Sequence, residues 1–200
     1  MRTPFARCAL MALVMSSGAA ISSLAVDAVR TPAAIKGGKV ALSPENTKIQ
    51  FVCAHVGPKP DPRTGHFSKF SGTAEVDAAS SVLRMVSVEI DTNSITTEFD
   101  KLTAHLKSPD FFEVRQYPTA KFESTKIAPG QASGQVQITG KLTLHGKTNE
   151  ISFPATVAVM PSGFSLKSEF NIDRSQFGMT FGPDKVENKV AMTIVIGEAK

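Results

Sequence analysis

The sequence predicts an all-β protein, an antiparallel β-barrel of about eight strands with one short helical crossover. Three observations carry that expectation. From Thr47 onward, apolar residues recur at every second position in run after run, the pattern of strands with one wet face. Turn sequences such as "APGQ", "HGKTN" and "PSG" separate the runs. One segment alone, "TTEFDKLTAHLKS", breaks the alternation and spaces Phe99, Leu102 and Leu106 as a helix does. Closing so many one-sided strands into a barrel removes exposed edges, and an open two-sheet sandwich is the alternative.

The first residues are expected to be a processing signal rather than part of the fold. Arg2 and Arg7 lead an uncharged run from Cys8 to Val26, and Ser23 and Ala25 supply the small-x-small exit of a secretory signal peptide at residues 1–25. An uncleaved membrane anchor is the competing reading of so long an uncharged run, but its internal Ser and Gly residues favour cleavage, with Ala28 as a second cut site. The expectation is a periplasmic or secreted protein. Residues 26–44, rich in Ala, Gly and Pro, read as a flexible leader, and residues 45–200 as one domain.

Within the domain, the first strand places Ile49, Phe51, Cys53 and His55 on one face. "VSVEID" does the same with Val86, Val88 and Ile90, "VQITGKLTL" with Val136, Ile138, Leu142 and Leu144, and "ISFPATVAV" with Ile151, Phe153, Val157 and Val159. "FSLKSEFNI" and "VAMTIVI" complete the series through Phe164, Leu166, Phe170, Ile172, Val190, Met192, Ile194 and Ile196. The helical segment has Thr96 or Thr97 as its N-cap and ends at Pro109. A barrel of about eight strands either fills with side chains or holds one small ligand. The inward residues are almost all hydrocarbon, and this composition does not decide between core and lining.

Composition narrows the chemistry. Losing residues 1–25 removes two Arg and no acid, so the formal net charge falls from +4 to +2, with no basic patch of the kind that binds nucleic acid. Cys8 leaves with the signal and Cys53 stands alone, so no internal disulfide forms. His55, His66, His105 and His145 lack the close spacing of a zinc site. Cys53 and His55 share a strand face, the geometry of a Cys–His nucleophile, but "FVCAHV" is an apolar strand and favours a buried structural thiol. No nucleophile elbow or phosphate loop is present. No catalytic residue, metal or cofactor is assigned.

One ordered set of motifs resembles a known family. "DKLTAHLKSPDFFEVRQYPTAKFES" is similar to the signature of the YceI-like family, and "NTKIQFVCAH", "GHFSKFSGTAEVD", "VEIDTNSITT", "GKLTLHGKTNEISFPATV" and "FNIDRSQFGM" fall in family order around it, over residues 45–198. Two departures stand out: "GPKPDPRT" lengthens the hairpin after His55, and Asp100-Lys101 replaces a frequent Arg-Asp. The resemblance implies a lipocalin-like barrel around a long apolar cavity that binds a polyisoprenoid tail, with no catalysis and no metal.

On that reading, the cavity lining expected from the strands is Phe51, Phe67, Phe70, Val88, Ile90, Phe122, Ile138, Leu142, Leu144, Phe153 and Phe170, joined by Phe177. The crossover and "SPDFF" are expected to cover one end with Leu102, Leu106, Phe111 and Phe112 turned inward, one of the two adjacent rings serving as plain core. Tyr117 is expected to anchor its hydroxyl beside Pro118. His105 and Arg174 are the head-group candidates, with an ion pair to Asp173 or Asp184 as the competing role for Arg174. The expected partners are an isoprenoid or other long-chain lipid, a membrane touched transiently during loading, and a second copy in a homodimer, with no nucleic acid. The rival functions are a hydrolase or transferase on a lipid-like substrate and a packed, stress-protective barrel.

Overall fold

The computed structural model describes residues 32–57, 61–161 and 163–197. The expected signal peptide lies outside the described residues. Eleven strands form one antiparallel sheet: β1 (Lys39–Leu42), β2 (Thr47–Ala54), β3 (Pro62–Phe67), β4 (Phe70–Asp77), β5 (Val82–Asp91), β6 (Ile95–Thr97), β7 (Thr119–Pro129), β8 (Gln135–Leu144), β9 (Lys147–Met160), β10 (Gly163–Asp173) and β11 (Lys189–Ile196). Their order across the sheet is β1-β4-β5-β7-β8-β9-β10-β11-β2-β3-β6. β3 and β4 stand near opposite ends of that order, yet only Ser68 and Lys69 join them. The sheet therefore curls until its two ends meet, giving a half-barrel that wraps around one interior.

The strand count exceeds the expected eight for an identifiable reason. β3 and β4 are two arms of one bent strand, and β5 and β6 are two arms of another, broken at the 3-10 turn Thr92–Ser94. The inner arms pair as β4 with β5 and the outer arms as β3 with β6. Ser94 stitches the shared corner: its carbonyl accepts from Ser68 N at 3.2 Å and its hydroxyl oxygen accepts from Lys69 N at 3.0 Å. The inward set shifts phase at each corner, from Phe67 to Phe70 and from Ile90 to Ile95, and a single slip of that kind in an otherwise regular alternation reads as one continuous strand.

The third additional strand comes from the stretch expected to be a flexible leader, and that expectation is corrected over residues 33–42. Ala33 bridges Phe164, and β1 pairs with β4 from Lys39 to Leu42. Val40 and Leu42 are buried in a cluster with Ala74, Val76, Leu83, Ile138, Phe164 and Ile196. Burying two aliphatic side chains contributes several kcal/mol, at about 1.5–3 kcal/mol each, enough to order a short run with no long-range periodicity. The cluster closes one end of the half-barrel.

The helix α1 (Asp100–Leu106) lies near the other end, and it too departs from expectation. Phe99 occupies the N-cap position without a side-chain cap, and Thr97 sits further upstream, where its backbone N–H donates to Thr103 Oγ1 at 3.0 Å. Phe99, expected on the apolar face, is instead 49% exposed.

Two glycines explain the spacing G-x-F-x-x-F-x-G. Gly65 is the register partner of Phe51, and a Cβ there would stand 2.2 Å from Phe51 Cζ. Gly72 opposes Val88, and a Cβ there would stand 2.4 Å from the Ser87 carbonyl oxygen. The first clash is with a ring that can turn, the second with backbone that cannot. Gly72→Ala is expected to destabilise by about 2–3 kcal/mol and Gly65→Ala by less, an order that urea unfolding of the two variants checks.

Candidate functional site: a two-chamber apolar cavity

Alternation along each strand sends every second side chain inward, and these side chains leave the interior unfilled. An outer chamber of about 280 Å3 opens beside α1. An inner chamber of about 100 Å3 lies toward the end closed by β1. Five residues from five strands line both: Ile49, Ile90, Leu142, Ile172 and Met192. They form a waist between the chambers.

The sequence order along each strand shows that the chambers are stacked along the strands. On β2, Thr47 lines the inner chamber, Ile49 the waist, and Phe51 and Cys53 the outer chamber, followed by His55 just beyond the strand. On β8 the same passage runs Ile138, Leu142, Leu144, and on β11 it runs in reverse from Ile196 and Ile194 through Met192 to Val190. From Thr47 to His55 the cavity follows about 26 Å of strand at about 3.3 Å per residue, or about 20 Å along the axis at a strand tilt of about 40°. Among the described residues Thr47 is the only polar one lining the inner chamber, and its hydroxyl donates to Asn46 Oδ1 at 2.9 Å. Such a space suits hydrocarbon.

The outer chamber ends in a polar mouth built by α1 and by the segment that follows β10. Arg174 opens a 3-10 turn, Arg174–Phe177, and is only 3% exposed. Its guanidinium donates to four backbone carbonyls: Nε to Glu187 at 3.0 Å, Nη1 to Met179 at 2.7 Å, and Nη2 to Phe181 at 2.8 Å and Val186 at 2.9 Å. It thereby fastens the irregular segment 179–187, which brings Met179, Phe181, Lys185 and Val186 to the cavity. Across the mouth, His105 Nε2 lies 2.8 Å from Asp110 Oδ2, and its ring packs edge-on against Phe111 and Phe181 at 5.0 and 5.1 Å.

Comparison with known proteins places this architecture. The model of the YceI-like domain matches residues 41–197. The chain belongs to the YceI-like family. It is 31% identical over 157 residues to a UPF0312 protein of Shewanella denitrificans, covering 74% of this chain and 81% of that one. Among solved structures, it is similar to Burkholderia cenocepacia BcnA, with 26% identity and a TM-score of 0.67 over 75% of this chain and 94% of that one. A polyisoprenoid binding domain from Saccharophagus degradans, implicated in plant cell wall breakdown, shares the fold at 17% identity and a TM-score of 0.62, covering 80% of this chain and 97% of that one.

In this YceI-like chain the expected lining residues fall into both chambers. Phe51, Phe67, Leu102, Leu106, Phe111, Phe112 and Leu144 line the outer one, Val88, Phe122, Ile138, Phe153 and Phe170 the inner one, and Ile90 and Leu142 both. Two are corrected. Phe177 is fully buried in a separate cluster with Ala120, Leu144 and Met179, because the 3-10 turn takes it off the strand period. Phe70, just past the corner, packs on the cluster around Phe51 and Phe67 without lining either chamber. His105 and Arg174 both reach the outer chamber, and Arg174 makes no ion pair with Asp173 or Asp184. Tyr117 departs from expectation: its hydroxyl accepts from Gln116 Nε2 at 2.9 Å and its ring packs on His145 at 4.4 Å.

Sequence reasoning missed the contribution of 179–186, which has no periodicity to reveal it. The available signal is that Met179, Phe181 and Val186 are apolar residues in a stretch broken by Gly178, Gly182 and Pro183, with no strand pattern to carry them. Cys53 and His55 do share the outer chamber wall, but Cys53 Sγ donates to the Glu187 carbonyl at 3.4 Å rather than to His55. Burial pushes the Cys53 thiol above its ordinary value, against the pull of the Arg174 charge, the opposite of an activated nucleophile. Cys53→Ser is expected to leave the amount of co-purifying lipid unchanged within twofold, as measured by mass spectrometry of extracts.

Proposed function

We propose that this YceI-like chain acts outside the cytoplasm as a non-catalytic carrier, holding an isoprenoid or similar long-chain amphiphile by its tail. The observation that carries the reading is the stacked pair of chambers, lined by Ile, Leu, Val, Phe and Met and left empty by the protein's own side chains. Transferring each methylene-sized unit of a tail from water to such a surface contributes about 0.8 kcal/mol. Binding therefore needs no reaction, only burial. The polyisoprenoid ligand named for the structural neighbour from Saccharophagus degradans accords with this chemistry.

The mouth suits loading from a membrane. Among the described residues, four large apolar side chains are exposed: Val56, Val82, Phe99 and Phe181. Three of them surround the opening. Phe181 lines it, Val56 follows the lining residue His55 and donates its N–H to the Lys185 carbonyl, and Phe99 lies under the guanidinium of the lining residue Arg63 at 4.9 Å. Apolar side chains flanked by Arg63 and Lys185 fit a lipid surface. Replacing Phe99 and Phe181 together by Ser is expected to slow lipid uptake from vesicles at least fivefold while leaving the thermal midpoint within a few degrees, as read by transfer of a fluorescent isoprenoid.

Native mass spectrometry of the protein from its own host, followed by solvent extraction, tests the carrier reading. A discrete adduct that yields a long-chain amphiphile is the expected outcome. A bare polypeptide mass across preparations, with no lipid in the extract, would overturn it.

A further inference from the structure

We infer that His145 and Glu113 form a proton-dependent clasp that fastens the two walls of the mouth, closing as pH falls and loosening as it rises. One wall is α1 with the segment 107–117, which brings Phe111 and Phe112 to the outer chamber, and the other runs from Arg174 to Glu187. His145 sits in the turn between β8 and β9, where both walls reach it. Its Nδ1 lies 3.2 Å from the Phe177 carbonyl oxygen of the second wall. A carbonyl only accepts, so Nδ1 carries the proton of the neutral ring. Nε2 is then left with a lone pair, buried and without a hydrogen-bond partner among the described residues. What faces it is Glu113 Oε2 of the first wall, at 3.6 Å. Two acceptors confront each other there, and a second proton on the ring turns that contact into a charge-assisted hydrogen bond.

The backbone at both partners is unusual in the same way. Among the described residues only Ser81, Glu113 and His145 are non-glycine residues at positive φ, a conformation that costs about 1–2 kcal/mol per residue, and two of the three face each other. Tyr117 packs its ring on His145 at 4.4 Å and covers Gly146, where a Cβ would stand 2.5 Å from Tyr117 Cε1. The other charge near the ring is Lys147: a Cβ on Gly178 would meet its Nζ at 3.2 Å and His145 Nδ1 at 3.4 Å. Lys147 is exposed, where solvent screens it. On the second wall Arg174 is turned to the mouth carbonyls, and the Asp173 carboxylate accepts from Ser175 N and Oγ. On the first, Lys107, Asp110 and Arg115 form no ion pair with either partner among the described residues. Histidine is the side chain whose charge ordinarily changes between about pH 5 and 8. A contact that needs the second proton is complete at the acid end of that range and lost at the alkaline end. Segment 107–117 stays tethered by α1 and by Thr92, whose Oγ1 donates to the Tyr117 carbonyl at 2.7 Å, so its release swings a hinged flap.

The clasp is a property of the protein alone, whereas its use as a gate rests on the carrier reading, and the test separates the two. Hydrogen exchange of the purified protein is followed by mass spectrometry at about pH 5.5 and about pH 8, with rates corrected for the intrinsic pH dependence of exchange. Peptides covering 107–117 are expected to be at least about fivefold more protected at the lower pH. That is below the full worth of a charged hydrogen bond because Glu113 and His145 both keep some contact with water. Glu113→Gln and His145→Asn, the latter keeping a residue that tolerates positive φ, are each expected to bring the ratio below about twofold, with peptides of β8 and β9 reporting that the fold is kept. A ratio near one in the unaltered protein would overturn the clasp. So would a ratio that persists in both variants, which would assign it to His105, whose ring packs on Phe111. Release of a fluorescent isoprenoid to phosphatidylcholine vesicles is expected to slow by a similar factor at the lower pH, and equal release rates would overturn the gate. A probe that binds at neither pH would overturn the carrier reading and the gate with it, while the exchange ratio still decides the clasp.

Discussion

A phenylalanine in place of Leu142 is expected to weaken binding of geranylgeraniol by about a hundredfold while leaving geraniol within about threefold. Leu142 lines both chambers and belongs to the five-residue waist. A larger ring there has open space on either side, so overpacking costs no more than about 1–3 kcal/mol, and it closes the passage to the inner chamber. A long tail that forfeits about four methylene-sized units of burial loses about 3 kcal/mol at about 0.8 kcal/mol each, which is more than a hundredfold in Kd. A short tail never reaches the waist. Competition with a fluorescent fatty probe, alongside a thermal melt of the variant, reads both quantities.

The largest expected effect on stability follows from Arg174→Met. The side chain is 3% exposed and its guanidinium donates to the carbonyls of Met179, Phe181, Val186 and Glu187. Methionine fills part of the volume and leaves all four acceptors without that donor. An unsatisfied buried acceptor costs about 1–3 kcal/mol, and because water reaches some of them the expected loss is about 3–5 kcal/mol rather than the full sum. Arg174→Lys keeps the charge but not the planar fork of donors, so it is expected to fall between the two. Urea unfolding orders the three proteins. The same side chain that holds the mouth together also supplies its buried charge.

Much of this architecture was legible because antiparallel strands with one buried face write a period of two into the chain. Phe51, Ile90, Ile138, Leu142, Phe153 and Phe170 could be assigned to the interior on that basis, and they do line the chambers. The corner at Ser68, Lys69 and Ser94 leaves only a one-residue slip in the alternation, from Phe67 to Phe70 and from Ile90 to Ile95, too slight a mark to set two strands apart. Nor could it show β1, where Val40 and Leu42 alternate for only four residues before Pro44. Whether the interior was packed or hollow was also beyond pattern alone, since the same Phe, Leu and Val serve either end. The mouth was least legible. Phe177 and the segment 179–186 are placed by Arg174 and by a 3-10 turn, long-range constraints that leave no spacing in the sequence.

A crystal structure of the protein grown with geranylgeraniol tests the central claim most directly. Continuous ligand density is expected from the mouth beside Arg174, past the waist at Leu142 and Met192, to Phe153 and Phe170 in the inner chamber. Side chains of the protein itself occupying both chambers, with the ligand on the outside or absent, would contradict it.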